Sequence, residues 1–373
     1  MSNIGNPNQV SEHKYTPNPV EARQLAAARH GSSREFGELA EPYRRELRVH
    51  CYRILGSLHD AEDMVQETML RAWKRLDTYE GRASFRAWLY KIATNACLDL
   101  LDQRRRQAKR LLPIHLFSPA DPHKPIEPPA TEILWLEPLP DEWLADSSAA
   151  NPESRYSTRE NISLAFLIAL QILPPRQRAV LILKDVLDWS ADEIAGLLDS
   201  TTSSVNSALH RARVTLAKNY HGRKSQVSTA KVSDEQTRET LEKYVQAWQT
   251  ADVNGLVALL KKDATLSMPP SPTWYAGREH IGSFAARTVF ADGGMFPGMA
   301  NGRWKLLPVQ ANGQPGAAVY QRMENGEYYP FGVHVLTCGQ GQIAQITCFI
   351  DPSLPGRFGL PKILKQGSRS SSS

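Results

Sequence analysis

The 373-residue sequence predicts a multidomain protein with two all-α domains, a helical bundle and a helix-turn-helix domain, followed by an α+β domain. Apolar residues recur three and four positions apart over residues 31–110 and again over 157–222, which is the spacing of amphipathic helices. Between them, residues 111–156 carry repeated prolines, which exclude long helices and sheet. From residue 264 onward, short runs of β-forming residues alternate with Gly, Pro and Asn, a pattern typical of strands and turns.

The segments outside these patterns set the domain boundaries. Residues 1–30 lack a strong period and are predicted to be disordered, and 223–233 is a short polar linker. The α+β domain is expected over 234–352, opening with two helices through Lys262, and a disordered Ser-rich tail over 353–373. The expected strands are Ala264–Met268, Arg303–Gln310, Ala317–Met323, Gly332–Cys338 and Gln342–Ile350.

Composition narrows the class of protein. A hydrophobic content of 41% suffices for packed cores, while no apolar stretch is long enough to span a membrane and the N-terminus lacks a signal peptide. A cytoplasmic location without membrane contact is therefore expected. The four cysteines have no CxxC spacing, so reduced thiols are expected, with no metal site and no cofactor. An acidic linker lies between two basic helical segments, and such basic domains suit a polyanionic partner.

An acidic helix is predicted from about Asp60. Positions 60, 63 and 67 share one face, and the opposite face is apolar. Taken alone, such a face is more often a solvated surface than a binding site.

After a turn at residues 79–81, aromatic residues alternate with Arg and Lys as far as Arg106. This combination suits single-stranded nucleic acid, because rings stack on bases and cations hold phosphates. The alternative is that Phe85, Trp88 and Leu89 belong to the core.

The run LGSLHDAEDMVQETMLRAWKRLDTYEGRASFRAWLYKIATNACLDLLDQRRR resembles region 2 of extracytoplasmic-function (ECF) RNA polymerase sigma factors. In that family the acidic helix docks on the clamp helices of the polymerase β′ subunit, and the following loop and helix read and melt the minus-ten promoter element. The resemblance implies polymerase contacts at Asp60, Glu62, Asp63, Gln66 and Glu67. For the opened DNA strand, the candidates are Arg82, Ser84, Arg86, Lys91, Asn95, Arg104, Arg105 and Arg106.

A helix-turn-helix is predicted farther along the chain. Ser190 and Glu193 form a capping box at the start of its first helix, Asp199–Thr201 is the turn, and Thr202–Leu216 is the second helix. Short polar side chains near a helix N-terminus can reach base edges, and basic ones farther along can meet phosphate. The candidate DNA-binding residues are Thr202, Ser203, Ser204, Asn206, Ser207, His210, Arg211 and Arg213. A helical hairpin in a bundle could show the same pattern.

The longer run LPPRQRAVLILKDVLDWSADEIAGLLDSTTSSVNSALHRAR is more specific and resembles region 4 of the same family, which binds the minus-thirty-five element and the polymerase β flap. The turn lacks the glycine common in that family, which blurs the helix ends. The resemblance implies a sigma factor whose partners are core RNA polymerase and promoter DNA, both double- and single-stranded. A plain helix-turn-helix regulator would not need the acidic helix and would bind duplex DNA without polymerase.

The C-terminal run RWKLLPVQANGQPGAAVYQRMENGEYYPFGVHVLTCGQGQIAQITCFIDPSL resembles the SnoaL-like, ketosteroid-isomerase-like fold, whose curved sheet forms a cone around a helix and leaves a pocket. The candidate pocket residues are Trp274, Tyr275, Tyr320, His334 and Asp351. No matched acid–base pair is visible, so catalysis is not expected. A regulatory contact surface is favoured, and the alternative is a sensor for an unknown small ligand or an enzyme that the DNA-binding part regulates.

The linker itself carries a further signal. Trp135 and Trp143 predict that part of it docks on a folded surface, because a free linker rarely exposes two tryptophans. The segment Trp135–Pro138 is similar to the Trp- and Pro-rich interdomain segment of some sigma factors with such C-terminal extensions. This suggests that the C-terminal domain packs on the linker and both DNA-binding domains and controls their spacing.

Overall fold

The first helical domain consists of four helices, α1 Pro19–Arg29, α2 Ser33–Leu55, α3 Leu58–Lys74 and α4 Phe85–Arg104. The computed structural model describes residues 15–104, 109–144, 162–224, 234–293, 295–296 and 298–365. Gly56 ends α2 in the left-handed conformation (φ 72°), which a glycine adopts without strain. The Ser57 side chain then caps α3 by accepting from the Asp60 backbone N–H.

Helix α1 lies within the segment predicted to be disordered, so that prediction was wrong for residues 19–29. Asn18 caps the helix, Pro19 occupies its first turn, and Leu25 and Ala28 are buried. The three-residue spacing of these two side chains places them on one face, which packs on α2.

The second helical domain contains α5 Leu164–Ile172, α6 Pro175–Leu181, a π-helical turn Ile182–Val186, α7 Ala191–Leu197 and α8 Thr202–Lys224. The predicted capping box is present, with Ser190 and Glu193 bonded in both directions. Asp199 takes the left-handed position of the turn (φ 46°), where the family commonly has glycine. Helix α8 continues eight residues past the predicted end at Leu216.

The linker lies on the folded domains, and its residues 109–144 are hereafter called the strap. Short 3₁₀ turns occur at Pro113–His115 and Asp141–Leu144. Trp135 is buried, and the Trp143 ring lies under the Arg48 guanidinium at 4.5 Å. Both tryptophans therefore pack on folded surfaces, in agreement with the prediction that part of the linker docks.

The C-terminal domain begins with α9 Asp234–Thr250 and α10 Val253–Leu259 and contains α11 Arg278–Phe284. Its strands are β1 Leu260–Ser267, β2 Trp274–Ala276, β3 Trp304–Ala311, β4 Gln314–Arg322, β5 Tyr328–Gly339 and β6 Gln342–Phe349. They form one six-stranded sheet in the order β2-β1-β6-β5-β4-β3, in which β1 runs parallel to β6 and the other pairs are antiparallel. The predicted α+β fold class is confirmed. Helix α10 ends at Leu259 and not at the predicted Lys262, because residues from Leu260 onward pair with β6. Strand β2 was not predicted.

Both faces of this sheet are buried, and strand alternation separates them. On β4, Ala317 and Val319 point toward the domain's own helices, whereas Ala318 and Tyr320 belong to the core that the two helical domains share. The chain then forms α12 Leu354–Arg357, and Leu364 bridges to Tyr328. Ordered structure therefore continues beyond the predicted boundary at residue 352. Among the described residues, no helix is long and apolar enough to cross a membrane.

Candidate polymerase and promoter interface

Asp60 is buried and does not present its carboxylate, contrary to the prediction of a polymerase contact. Its Oδ2 accepts from Arg104 at 2.5 Å and from Arg110 at 2.6 Å, and only 4% of the residue is exposed. Burial by itself raises the pKa of the Asp60 carboxyl, but the hydrogen bonds and charges of the two arginines outweigh it and hold that pKa below its usual value. Asp60 therefore joins α3, α4 and the strap.

Three of the other candidates on α3, Asp63, Gln66 and Glu67, line an open groove of about 440 Å³ between α3 and α4. Asp63 and Gln66 are exposed on its rim. Glu67 accepts from Arg71 at 2.6 Å, and Arg71 also pairs with Asp99 of α4 at 3.0 Å. Leu70, at 47% exposure, and Leu100 add apolar surface. An acidic rim around apolar side chains can accept a basic amphipathic helix.

Glu62 lies on the edge of this helix and pairs with Arg357 of α12, from the C-terminal domain. Arg357 was not predicted as a functional residue, because it follows the predicted domain end and nothing in the neighbouring sequence indicates a partner 295 residues away.

Some of the candidate minus-ten residues are bonded within the first helical domain, and others are exposed to solvent. Ser84 caps α4 by accepting from the Ala87 N–H at 3.1 Å. The Arg86 guanidinium pairs with Glu46 at 2.7 Å and lies over the Tyr90 ring, so it supports the bundle. Arg82 is exposed beside Glu80, and Asn95 is half-buried.

Three of the basic candidates are consecutive in the chain, Arg104 to Arg106. Arg104 holds Asp60, as described, while Arg105 and Arg106 lie outside the described residues. Phe85 is fully buried and Trp88 packs at 5.2 Å from Tyr79, so these two rings serve the core.

Lys91 of α4 bonds across the domain boundary. Its Nζ donates to Asp199 Oδ1 at 2.7 Å, in the turn of the helix-turn-helix, and to the Gly196 carbonyl at 3.2 Å, near the end of α7. Helix α4 therefore contacts the end of α7 and the turn that precedes α8. Neither Asp199 nor Gly196 was predicted to have this role.

The recognition helix α8 exposes most of its candidates to solvent. Ser203, Ser204, Asn206, Ser207, His210 and Arg211 are exposed. Thr202 is half-buried and donates to Asp192 at 2.7 Å, and Arg213 is engaged by Asp185 at 2.6 Å. Val205, Leu209 and Ala212 are buried and face inward, as their spacing of four and three positions predicts.

A buried asparagine joins all three domains at the tip of the β3–β4 hairpin. Asn312 Nδ2 donates to the Tyr52 hydroxyl of α2 at 3.0 Å and to the Ile162 carbonyl at 2.8 Å, just before α5. Its Oδ1 accepts from the Leu139 N–H of the strap at 2.8 Å. The Asn312-Gly313 pair is a hairpin-turn signal in the sequence. The residues to which the Asn312 side chain donates lie 150 and 260 positions away, so the local pattern does not indicate them.

The predicted C-terminal pocket is a small apolar cavity, and of its five candidates only His334 lines it. Tyr320 alternates onto the other sheet face and Tyr275 stacks on Phe284 at 4.6 Å. Trp274 points to the strap, where its Nε1 donates to the Phe117 carbonyl. Asp351 is exposed, and its Oδ1 accepts from the Ser353 backbone N–H. Burial lowers the pKa of His334 to about 3, and Tyr244 bonds its Nδ1 at 2.9 Å. No metal-binding cluster occurs in the part of the chain that the structure describes.

Comparison with known proteins identifies the helical domains. Residues 39–107 match the Sigma-70 region 2 family, and residues 163–216 match the Sigma-70, region 4 family. The ECF RNA polymerase sigma factor SigG of Mycobacterium tuberculosis is 41% identical over 343 residues, which is 92% of this chain and 87% of SigG. SigW of Bacillus subtilis is 25% identical over 52% of this chain and 94% of its own length. The crystal structure of SigJ from Mycobacterium tuberculosis has a TM-score of 0.52 at 18% identity, covering 86% of this chain and 98% of SigJ, a likeness of fold.

The two regions, in this order and with this geometry, define a sigma-70 type transcription initiation factor. The chain belongs to the ECF sigma factor family. It is an RNA polymerase sigma factor that binds core polymerase and promoter DNA and directs promoter-specific initiation, as the sequence predicted.

Proposed function

We propose that the C-terminal domain regulates this sigma factor by holding its two promoter-binding regions against each other until core polymerase binds. Asp63, Gln66 and Glu67 then contact the polymerase clamp, and the exposed face of α8 reads the minus-thirty-five element. In this arrangement Asp60 supports the clamp-binding helix from within. The protein acts in the cytoplasm, where core polymerase and the promoter are found.

The packing of α4 on the helix-turn-helix is incompatible with a two-part promoter. The minus-ten and minus-thirty-five elements lie about 25 base pairs apart, or ~85 Å along B-form DNA. Here the Nζ of Lys91, a candidate minus-ten residue, lies 2.7 Å from Oδ1 of Asp199, in the turn three positions before the recognition helix. The two regions must therefore separate before both elements are bound, and the described arrangement is a closed form.

The hydrogen bonds of Asn312 are the main support for this closed form. Its buried side chain bonds to the first helical domain, to the strap and to the segment that begins the second helical domain. Each such hydrogen bond contributes about 1 kcal/mol, and separating the partners would leave the amide to be satisfied by water. The C-terminal domain thereby stabilises the closed form at one point.

Replacing Asn312 by glycine tests the closed form. Asn312 has φ 56°, so Asn312→Gly removes the amide without straining the backbone. We expect a larger radius of gyration by small-angle X-ray scattering and about tenfold more promoter-specific transcript with limiting core polymerase. Asn325→Gly is the matched control, because Asn325 is exposed in the neighbouring β4–β5 turn. If both variants remain as compact as the parent and transcribe equally, the closed form has no regulatory role.

We further infer that this chain is not an enzyme. His334 is neutral, its Nδ1 is bonded to Tyr244, and no carboxylate of the described residues lines the cavity. A general acid–base reaction needs a second titratable group within reach. The alternative, an enzymatic domain governed by the DNA-binding part, would require a base that titrates near neutral pH.

A further inference from the structure

The cavity inside the C-terminal domain lies between the concave face of the sheet and helices α9 and α11. Its walls include Trp248, Phe284, Trp304, Phe331, His334 and Cys348. The free volume is about 40 Å³, room for no more than two or three water molecules. An apolar cavity of this kind stays dry and can take an apolar molecule when it is enlarged.

One wall of the cavity does not belong to the C-terminal domain. Ile126 comes from the strap, is half-buried, and packs among the core residues of the C-terminal domain. Its side chain is the strap's contribution to the lining of the cavity.

Backbone hydrogen bonds hold the strap on both sides of Ile126. Upstream, the Ala120 N–H donates to the Trp274 carbonyl at 2.8 Å. Downstream, the Glu127 N–H donates to Thr273 Oγ1 at 3.0 Å and the Ala130 N–H to the Pro270 carbonyl at 3.0 Å. The strap therefore follows the loop between β1 and β2 and presents Ile126 to the cavity.

The same strap continues to the polymerase-binding helix. The Glu137 carboxylate accepts from the Leu58 N–H at 2.7 Å and from Ser57 Oγ at 2.8 Å, at the N-terminus of α3. A carboxylate at this position satisfies free N–H groups and interacts favourably with the helix dipole. Eleven positions separate the residue in the cavity from the residue at α3.

We propose that Ile126 is an internal occupant of this cavity, and that a small uncharged apolar molecule competes with it and releases the strap from the C-terminal domain. This rests on the closed form proposed above. Release of the strap loosens its hold on α3 and shifts the sigma factor toward the open, polymerase-competent form. The ligand is thus a positive effector.

The walls set the chemical class of the ligand. Aromatic and aliphatic side chains dominate, the imidazole of His334 is neutral, and a charged molecule would lose its hydration without gaining an ion pair. The space vacated by the Ile126 side chain, added to the existing cavity, suits a compact monocyclic hydrocarbon. Toluene is a suitable probe.

The experiment uses the full-length chain and its Ile126→Ala variant, with Ile133→Ala as the matched control. Ile133 is a half-buried isoleucine of the same strap that does not line the cavity. Saturable toluene binding is followed by tryptophan fluorescence and by thermal shift. We expect the Ile126→Ala variant to bind toluene about tenfold more tightly than the parent, because no internal competitor remains, while Ile133→Ala binds like the parent.

Transcription with core polymerase gives the second readout. Toluene should increase promoter-specific transcript from the parent, and Ile126→Ala should already be more active without it. Absence of saturable binding to Ile126→Ala would overturn the cavity assignment. Binding without any change in transcript would overturn the coupling, and the Asn312→Gly result would then decide separately whether the closed form exists.

Discussion

At the scale of single residues, the same side-chain chemistry serves two purposes on α3. Asp60 and Asp63 are both acidic and lie three positions apart, yet Asp60 is 4% exposed and held by two arginines, while Asp63 is on the surface. Helical geometry places both on one face. Arg104 of α4 and Arg110 of the strap hold Asp60, and these two contacts decide which carboxylate remains available to a partner.

Asp60→Asn should destabilise the protein in a pH-dependent manner. Removing one partner from a buried ion pair costs about 3 kcal/mol. The pKa of Asp60 is below its usual value, so its contribution is fully present above pH ~4 and is lost as the pH falls through the folded-state pKa. Urea unfolding at neutral pH should therefore separate the variant from the parent, and the difference should shrink in acid.

The exposed Asp77 provides the control for that experiment. Asp77→Asn should leave the free energy of unfolding nearly unchanged at every pH. A penalty for Asp60→Asn that stayed constant down to acid pH would contradict an ionised, arginine-bound carboxylate.

A second buried charged residue, Arg178, lies where the second helical domain packs on the end of α2. Arg178 is fully buried and donates to Gln171 Oε1 at 2.8 Å and to the Ile54 carbonyl at the end of α2. Burial lowers its pKa to about 9. No carboxylate among the described residues pairs with it, so its charge is stabilised by carbonyl groups, including those of a helix C-terminus.

At the scale of secondary structure elements, helix α8 presents basic side chains and short polar side chains to solvent. Arg211 is exposed, whereas Arg213 is paired with Asp185. A side chain already engaged within the protein must give up that pair to meet phosphate. The two arginines are therefore expected to differ in their contribution to DNA binding.

Arg211→Ala should weaken promoter binding by the holoenzyme and lower the slope of log affinity against log salt by about 1, the change for one lost phosphate contact. Fluorescence anisotropy of labelled promoter DNA over a salt series measures both. Arg213→Ala should change the slope less. Equal slopes for the parent and Arg211→Ala would remove Arg211 from the phosphate-contacting set.

At the scale of the whole molecule, the β-sheet works as a two-sided layer. Its concave face packs on the helices of the C-terminal domain, and its other face contributes Ala318, Tyr320 and Val333 to the core of the helical domains. Such an interface is apolar and excludes water. Polar contacts add to this packing: Glu62–Arg357 joins the first helical domain to the C-terminal domain, and Lys91–Asp199 joins the two helical domains.

Arg357→Glu should shift the molecule toward the open form. The Glu62–Arg357 pair is about one-third exposed on each side, so its loss is worth about 1 kcal/mol, a factor of about five in the open fraction. Limited proteolysis of the strap and the radius of gyration report this shift. The charge-swapped double variant Glu62→Arg with Arg357→Glu should return the compact form, and failure to do so would mean that the pair is not what holds α12.

Most of the helices and strands, and the family, could be predicted from the sequence alone. The capping box at Ser190, the inward residues of α8 and the spacing of the acidic helix are local features, and local propensity and periodicity are written within a few turns of chain. The two sigma regions were identified for the same reason, because each motif is contiguous.

Which candidate residues are available to a partner, and what the C-terminal domain contacts, depends on contacts between distant parts of the chain. Arg110 against Asp60, Asn312 against Tyr52, and Ile126 in the cavity are contacts between residues 50 to 260 positions apart or from separate domains. Burial removes a group from solvent without changing its local pattern, so periodicity cannot distinguish a carboxylate that binds a partner from one that binds the protein's own arginines. The same reason explains why the helix at residues 19–29 and the ordered segment after residue 352 were not predicted: both are stabilised mainly by the surfaces on which they pack.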